Sequence, residues 1–191
     1  MLKIEIEIKL RVPGDIREMR KKLRRLGFRI HKRRVFESNV LFDDAKQRLR
    51  KHGKLLRVRR SGRGGLLTLK GPPEPGVYKK RLEMETELPD SDLIERIFAQ
   101  LGYHPVFRYE KFRTEYTRGS SDGKAQLDET PIGNFLELEG PPRWIERTAR
   151  LLGFSRADYV NRTYGSLYLA YCKQRRIQPR DMLFKARSSG R

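Results

Sequence analysis

The chain has 191 residues, of which 37% are hydrophobic and 36% charged, so it suffices for one domain with a substantial core and is too short for two large ones. Its single cysteine, Cys172, excludes an intramolecular disulfide, and no apolar run is long enough to cross a bilayer. Charge begins at Lys3, which is unlike a signal peptide, so we expect a cytoplasmic protein.

The net charge of +20 indicates an anionic partner. Nucleic acid, an acidic membrane surface and a polyphosphate substrate all fit such a charge, which alone does not choose among them. From Gln174 onward the sequence is basic and irregular. We therefore separate a domain over residues 1–173 from a basic tail over 174–191, and we expect the tail to be mobile unless it docks.

The first predicted element is a strand over residues 4–10 in which apolar and charged side chains alternate. Successive side chains of a strand point to opposite faces, so one face is apolar and the other carries Glu5, Glu7 and Lys9. The same alternation returns in the segments 81–88 and 135–139. One such strand is ordinary, whereas three suggest a shared site.

A helix follows, with Asp15 as its N-cap and Gly27 at its end. The next predicted elements are strands at 35–43, 55–60, 66–70 and 78–88, a helix from Asp90 to Leu101, strands at 106–117, 124–129 and 134–139, and helices at 141–152 and 162–173. Three of the helices end in Leu-Gly-aromatic. Many short strands joined by hairpins indicate an α+β fold, with an antiparallel barrel or deeply curved sheet and helices packed outside.

If the sheet closes into a barrel, the charged alternate residues of every strand face one another inside it. These residues are Glu5, Glu7, Lys9, Arg57, Arg59, Lys70, Arg81, Glu83, Glu85, Lys111, Arg113, Asp128, Glu137 and Glu139. Two alternatives stay open at this point. The charges could form a lattice of salt bridges, or they could face outward around an apolar core.

The two signs together suit one kind of ligand. Clustered carboxylates repel each other unless a cation such as Mg²⁺ or Mn²⁺ lies among them, and clustered arginines and lysines repel unless they hold an anion with several oxygens. A metal-bound triphosphate meets both demands. Phosphoryl transfer needs positioning and charge neutralisation rather than a side-chain nucleophile.

Other candidate sites are weaker. His31, His52 and His104 are scattered and lack the spacing of metal ligands. Cys172 and the tyrosines of the last helix, at positions 164, 168 and 171, are expected to pack in the core. The glycines around residue 62 predict a hairpin turn rather than a phosphate-binding loop.

The order of these motifs resembles the CYTH superfamily of triphosphate tunnel metalloenzymes. The carrying motifs are Glu5-x-Glu7-x-Lys9, Leu56-Arg57-Val58-Arg59, Thr68-Leu69-Lys70-Gly71, Arg81-x-Glu83-x-Glu85, Lys111-x-Arg113, Asp128 and Gly133-x-Phe135-x-Glu137-x-Glu139. Thr163-Tyr164 with Leu167 is similar to a Ser-Tyr-x-x-Leu element of the bacterial cyclase-like branch. The resemblance covers about residues 2–173 and leaves out the tail.

This resemblance implies an eight-stranded antiparallel tunnel that binds a triphosphate and one or two divalent metals, Mg²⁺ or Mn²⁺. It assigns phosphate binding to Lys9, Arg57, Arg59, Lys70, Arg81, Lys111 and Arg113. It assigns metal binding to Glu5, Glu7, Asp128, Glu137 and Glu139, with catalytic roles for Glu5, Glu7, Lys9 and Asp128. Glu83 and Glu85 belong to the tunnel without a fixed role.

Three functions follow as hypotheses. The first is metal-dependent hydrolysis of inorganic triphosphate, thiamine triphosphate or a nucleoside triphosphate. The second is a class IV adenylyl cyclase, and the third is a non-catalytic binder of RNA or polyphosphate. The expected partners are a triphosphate-containing small molecule, nucleic acid through the basic surface and tail, and a second copy of the chain; no membrane partner is expected.

Overall fold

Eight antiparallel strands close into a barrel in this computed structural model, which describes residues 2–62, 64–119 and 123–185. The strands are β1 (Leu2–Val12), β2 (Arg29–Asp44), β3 (Leu55–Ser61), β4 (Gly64–Lys70), β5 (Lys79–Leu88), β6 (Tyr103–Thr117), β7 (Lys124–Thr130) and β8 (Gly133–Glu139). Their order is β5-β4-β3-β2-β6-β7-β8-β1, and pairing of β5 with β1 closes the ring. A short strand, β9 (Tyr159–Val160), also pairs with β1. The predicted α+β barrel is confirmed.

The helices lie outside this barrel. They are α1 (Ile16–Arg25), α2 (Arg48–Lys51), α3 (Ser91–Gln100), α4 (Pro142–Leu151) and α5 (Tyr164–Arg175). Asp15 and Asp90 cap α1 and α3 by accepting from backbone N–H groups, as the sequence predicted. The recurring Leu-Gly-aromatic ends have a shared cause, because Gly27, Gly102 and Gly153 all adopt φ near +80°, which reverses the chain into the next segment.

The apolar core lies between the outer surface of the barrel and these helices. Leu10, Leu136 and Leu138 are fully buried beneath α1 and α4, and Val40 and Val58 are buried beside α3. The charged alternate residues therefore face the barrel interior, and the alternative with charges outward around an apolar barrel core is wrong. In the part of the chain that the structure describes, every helix is too short or too polar to span a membrane.

One strand differs from the prediction, and the tail takes the second of its two predicted outcomes. Strand β2 begins at Arg29 rather than at residue 35, because β6 pairs with it back to Arg29 through several irregular registers. The beginning of the basic tail is docked, since Met182 is buried and its backbone N–H donates to the carbonyl of Arg108 on β6 (2.9 Å). Arg63 of the predicted hairpin and residues 186–191 of the tail lie outside the described residues.

Helix α5 closes one end of the barrel. Its residues Tyr164, Leu167 and Tyr168 pack with Tyr109 and Phe135, two residues of the barrel wall. Cys172 is fully buried in the same cluster, so its predicted packing role is confirmed. Because α5 lies across the barrel end, its first residues reach the charged interior.

Candidate functional site

The charged residues predicted from the strand alternation meet in one narrow tunnel through the barrel. Thirteen of the fourteen line its cavity, and the exception, Asp128, is fully buried beneath them. The cavity holds about 100 Å³, because long side chains fill most of the barrel. Its lining contains ten lysines and arginines against six glutamates, which leaves an excess of four positive charges. The tunnel therefore favours a polyanion.

Each tunnel carboxylate on β1 and β8 lies against a basic side chain. The Lys70 ammonium donates to both oxygens of Glu5 (2.6 and 2.7 Å), and Lys79 donates to Glu7 (2.8 Å). Lys9 donates to Glu137 (2.5 Å). These charges come from facing strands, so the closed barrel brings them together, and the predicted salt-bridge lattice exists.

Asp128 anchors the basic side chains of β6. Arg113 donates to both of its oxygens (2.6 Å each), and Lys111 donates to one of them (2.9 Å). Arg113 also contacts Glu137. Asp128 does not line the cavity itself but contacts residues that do. Its role as a metal ligand stays a prediction.

Most of the other predicted residues also have polar partners. Arg81 lies 3.5 Å from Glu5, while Glu83 pairs with Lys70 (3.2 Å). Glu85 accepts from the Thr68 hydroxyl (2.8 Å). Arg59 donates to the Asn39 side chain (3.1 Å), and Glu139 accepts from Lys3 (2.9 Å).

The electrostatics keep these carboxylates ionised. Burial alone would raise the pKa of Glu7, but the ammonium groups of Lys79, Lys9 and Lys70 together outweigh it and hold that pKa below its usual value. Burial likewise opposes ionisation of Glu137, yet Lys9 and Arg113 hold its pKa well below the ordinary range. Ionised carboxylates in a buried tunnel are suitable ligands for a divalent cation.

The basic side chains include groups whose positive charge is not fully compensated. Burial and the neighbouring Arg57 charge lower the pKa of Arg59. The Nε atoms of Arg57 and Arg81 are buried without a hydrogen-bond partner among the described residues. Buried donors of this kind are normally satisfied, so they fit an anion that accepts from them.

The carboxylates have the chemistry of a Mg²⁺ or Mn²⁺ site without its closed geometry. Glu7 and Glu139 are directly opposite each other on β1 and β8, and like charges in this position repel unless a cation lies between them. Among the described residues, no three carboxylate, histidine or cysteine side chains converge as a metal site. The donor set fits the metal, and binding would require the carboxylates to leave their lysine partners.

Sequence reasoning missed several tunnel residues. Glu37 lies 3.5 Å from Lys111 and 3.4 Å from Arg59. Burial opposes its ionisation, but Lys111 and Arg59 lower the pKa of Glu37 to about 2. The alternation of Glu37 and Asn39 between apolar neighbours was a usable signal. The same period would have added Lys3, Lys79, Tyr109, Lys124 and Gln126, all of which line the tunnel.

Tyr164 was predicted as a core residue and also belongs to the site. Its hydroxyl donates to Asp128 (2.6 Å), and the Lys9 ammonium lies 4.4 Å from its ring centroid. Burial and the negative charge of Asp128 raise the pKa of Tyr164 well above its usual value, so the phenol stays a donor. Tyr164 thus links α5 to the buried charges of the tunnel.

A second, larger cavity of about 820 Å³ adjoins the tunnel between α5, β3 and the loop before β5. We call it the side chamber. It shares Lys79 and Arg81 with the tunnel, and its wall includes the apolar Leu55 and Phe107 together with the polar Asn161. A ligand bound in the tunnel could therefore extend a larger, less charged group into the side chamber.

Comparisons with known proteins agree with this architecture. The family model of the CYTH domain matches residues 3–164. A candidate adenylate cyclase of Methanocaldococcus jannaschii is 31% identical over 137 residues, which make up 71% of this chain and 76% of that protein. A Pyrococcus horikoshii structure aligns with a TM-score of 0.75 and 26% identity over 87% of this chain and 99% of that one.

A further structural relative is a candidate adenylyl cyclase from Hippeastrum, which is described as having a dominant triphosphatase activity. It aligns with a TM-score of 0.64 and 18% identity, over 90% of this chain and 96% of that one. At this identity the likeness concerns the fold. Together with the charged tunnel and the match over most of its length, these comparisons show that the chain belongs to the CYTH domain family.

Proposed function

We propose that this protein is a divalent-metal-dependent phosphohydrolase that acts on triphosphate compounds inside its tunnel. One observation carries the proposal: ten basic and six acidic side chains from the closed barrel converge on one buried cavity. A pure anion binder gains nothing from six glutamates in its site, whereas a metal-bound triphosphate uses both signs. The triphosphatase activity described for the Hippeastrum relative supports the same reading.

In this proposal, the basic side chains hold the phosphate chain. Arg57 and Arg81 are buried and each has a buried Nε donor to offer, and Arg59, which is partly buried, lines the same cavity. Lys111 and Arg113 extend from β6, and Asp128 of β7 fixes their positions. Fixed donors stabilise the charge that develops on the phosphate oxygens as the leaving group departs.

The acidic side chains hold the metal. Glu5, Glu7, Glu137 and Glu139 supply the oxygens that Mg²⁺ or Mn²⁺ prefers, and they are the proposed ligands. A bound metal neutralises phosphate charge and favours attack by water. When a ligand anion takes over Lys9, Lys70 and Lys79, their present partners Glu137, Glu5 and Glu7 become available.

The side chamber bears on the substrate. A tripolyphosphate ion would use the tunnel alone, whereas the side chamber has apolar walls next to Lys79 and Arg81. This arrangement suits a triphosphate that carries an organic group, such as a nucleoside or thiamine. We therefore expect an organic triphosphate to be turned over with a lower KM than tripolyphosphate.

Cyclisation of ATP is the second candidate function, because the Methanocaldococcus jannaschii relative is named as a candidate adenylate cyclase. The same tunnel would serve it if the ribose hydroxyl, rather than water, were aligned with a phosphorus atom. Incubation with Mg²⁺ or Mn²⁺ and ATP, thiamine triphosphate or tripolyphosphate separates the two. Orthophosphate supports the hydrolase, and cyclic AMP with pyrophosphate supports the cyclase.

Two substitutions test whether the site is catalytic at all. Glu7→Gln and Glu137→Gln remove one negative charge each from the tunnel and should lower turnover at least 100-fold, while the same change at exposed Glu18 should leave it unchanged. A non-catalytic binder would show no turnover in the wild type, and its affinity for tripolyphosphate would stay the same or rise in both tunnel variants.

A further inference from the structure

A long basic segment spans α1 and the beginning of β2. Residues 20–34 contain nine lysines and arginines, and no aspartate or glutamate occurs between Met19 and Phe36. Within it Arg25, Arg29 and Arg33 are exposed. Residues of this segment do not line the tunnel, and its half-exposed His31 lines a separate cleft.

The two halves of the segment meet on one face of the molecule. Arg20 of α1 and Arg34 of β2 both donate to the same carboxylate, Glu129 of β7, at 2.7 and 2.8 Å. Arg118 at the end of β6 lies beside Gly27, between the two halves. Glu129 is thus paired twice, by one arginine from each half.

Aromatic rings adjoin this basic face on the outer surface of the barrel. Phe36 and Phe112 are opposite each other on β2 and β6, with ring centroids 5.3 Å apart. Phe184 of the docked tail packs on Phe112 at the same distance. The Arg34 guanidinium lies 3.5 Å above the Phe112 ring, and 41% of the Phe36 surface is exposed.

We propose that the exposed surface formed by Arg24 of α1 together with Arg33, Arg34 and Phe36 of β2 binds single-stranded nucleic acid. We call it the basic aromatic face. Exposed arginines pair with backbone phosphates, and an exposed ring on a sheet offers a stacking platform for an unpaired base. The site is separate from the tunnel and does not depend on what the tunnel turns over.

The chemistry of the face favours nucleic acid over an anionic lipid surface. The guanidinium of Arg34 lies on the aromatic cluster, so entry of the rings into hydrocarbon would dehydrate a charge. A stacked base leaves Arg34 in its pair with Glu129, and the exposed Arg24 and Arg33 contact the phosphates. A duplex offers no unpaired base to Phe36, so single strands should bind more tightly.

The test is fluorescence anisotropy with labelled 20-nucleotide oligo(U) and oligo(dT), a 20-base-pair duplex, and vesicles of phosphatidylserine and phosphatidylcholine, over 50–300 mM KCl. Binding to single strands should weaken with salt. Arg24→Ala/Arg33→Ala should reduce the slope of log K against log salt by about 1.4, at about 0.7 for each lost phosphate contact. Phe36→Leu should weaken binding about tenfold, whereas Phe36→Tyr should keep it.

The matched control is Arg96→Ala/Arg143→Ala, which removes two exposed arginines from α3 and α4. It should change neither slope nor affinity beyond twofold, and thermal unfolding shows that each variant is folded. The proposal fails if both arginine pairs weaken binding equally, if vesicles bind and oligonucleotides do not, or if tripolyphosphate displaces the oligonucleotide by occupying the tunnel.

Discussion

The two faces of the same barrel strands have opposite tasks. On β1 the inner face carries Glu7 and Lys9, each paired in the tunnel with an opposite charge from another strand. The outer face carries Ile8 and Leu10, which are buried beneath helices. Small barrels are usually filled by apolar side chains, and here the apolar core is instead a layer around the barrel. A substitution on the outer face can therefore lower stability alone, whereas one on the inner face can lower function and, where it removes the partner of a buried charge, stability as well.

The largest effect should come from an inner-face residue whose loss leaves charges buried. Arg113→Ala removes one partner each from the buried Asp128 and Glu137, so the free energy of unfolding should fall by about 3–5 kcal/mol and turnover should be lost. Urea denaturation measures the first effect. Arg17→Ala, on the exposed face of α1, is the control, and equal stability of the two variants would contradict the buried lattice.

An outer-face residue should affect stability alone. The side chain of Leu10 on β1 is fully buried beneath the helices, so Leu10→Ala should lower the free energy of unfolding by about 3 kcal/mol. Its side chain points away from the tunnel, so kcat and KM of the folded protein should not change. Leu2→Ala, at a side chain that is mostly exposed, should remain within about 0.5 kcal/mol of the wild type.

The tunnel should also respond to acid in a way that the outer layer cannot. The pKa of Glu37 is lowered to about 2, so the unfolded chain binds its proton at a higher pH than the folded chain does. The stability from this ionised group is present above the unfolded pKa and is lost as pH falls through about 2.

Denaturation at several pH values measures that effect. Between pH 5 and pH 2 the wild type should lose on the order of 2 kcal/mol more than Glu37→Gln. Glu18→Gln, on an exposed carboxylate, should follow the wild type. Parallel pH profiles for the wild type and Glu37→Gln would show that Lys111 and Arg59 do not hold Glu37 ionised.

The smallest effect concerns the contact between α5 and the tunnel. Tyr164→Phe removes the hydroxyl that donates to Asp128 and should cost about 1 kcal/mol of stability while raising KM for the triphosphate. Tyr168→Phe removes a comparable hydrogen bond, to the carbonyl of Asp181. Because Tyr168 lines the side chamber, KM is measured with tripolyphosphate, which uses the tunnel alone. The control variant should lose similar stability with this KM unchanged, so a rise in KM for both would deny Tyr164 a specific role.

Most of what the sequence could predict came from the alternation of apolar and charged residues along the strands. It placed Glu5, Arg57 and Glu137 on the faces that the structure turns inward, because a strand with one apolar and one charged face has only two orientations in a barrel. Helix caps were also predictable, since Asp15 and Asp90 act through their immediate neighbours.

The features that the sequence did not predict depend mostly on contacts with residues far away in the chain. The stretch 29–34 is nearly all basic and has no strand signal of its own, yet it is a strand because β6 pairs with it. The docking of Met182 depends on the free edge of β6 near Arg108, which no local pattern in the tail indicates. Glu37 was missed because Val35 and Leu41 share its face of the strand, so the continuous charged alternation of β1 is interrupted there.

The surplus of four positive charges in the tunnel lining has a practical consequence. Sulfate or phosphate from a purification buffer should enter the barrel and compete with the substrate, so kinetic constants measured in such buffers would describe a partly inhibited protein. Crystals grown from sulfate would be expected to carry it between Arg57 and Arg59. Gel filtration into a chloride buffer before any assay is the corresponding precaution.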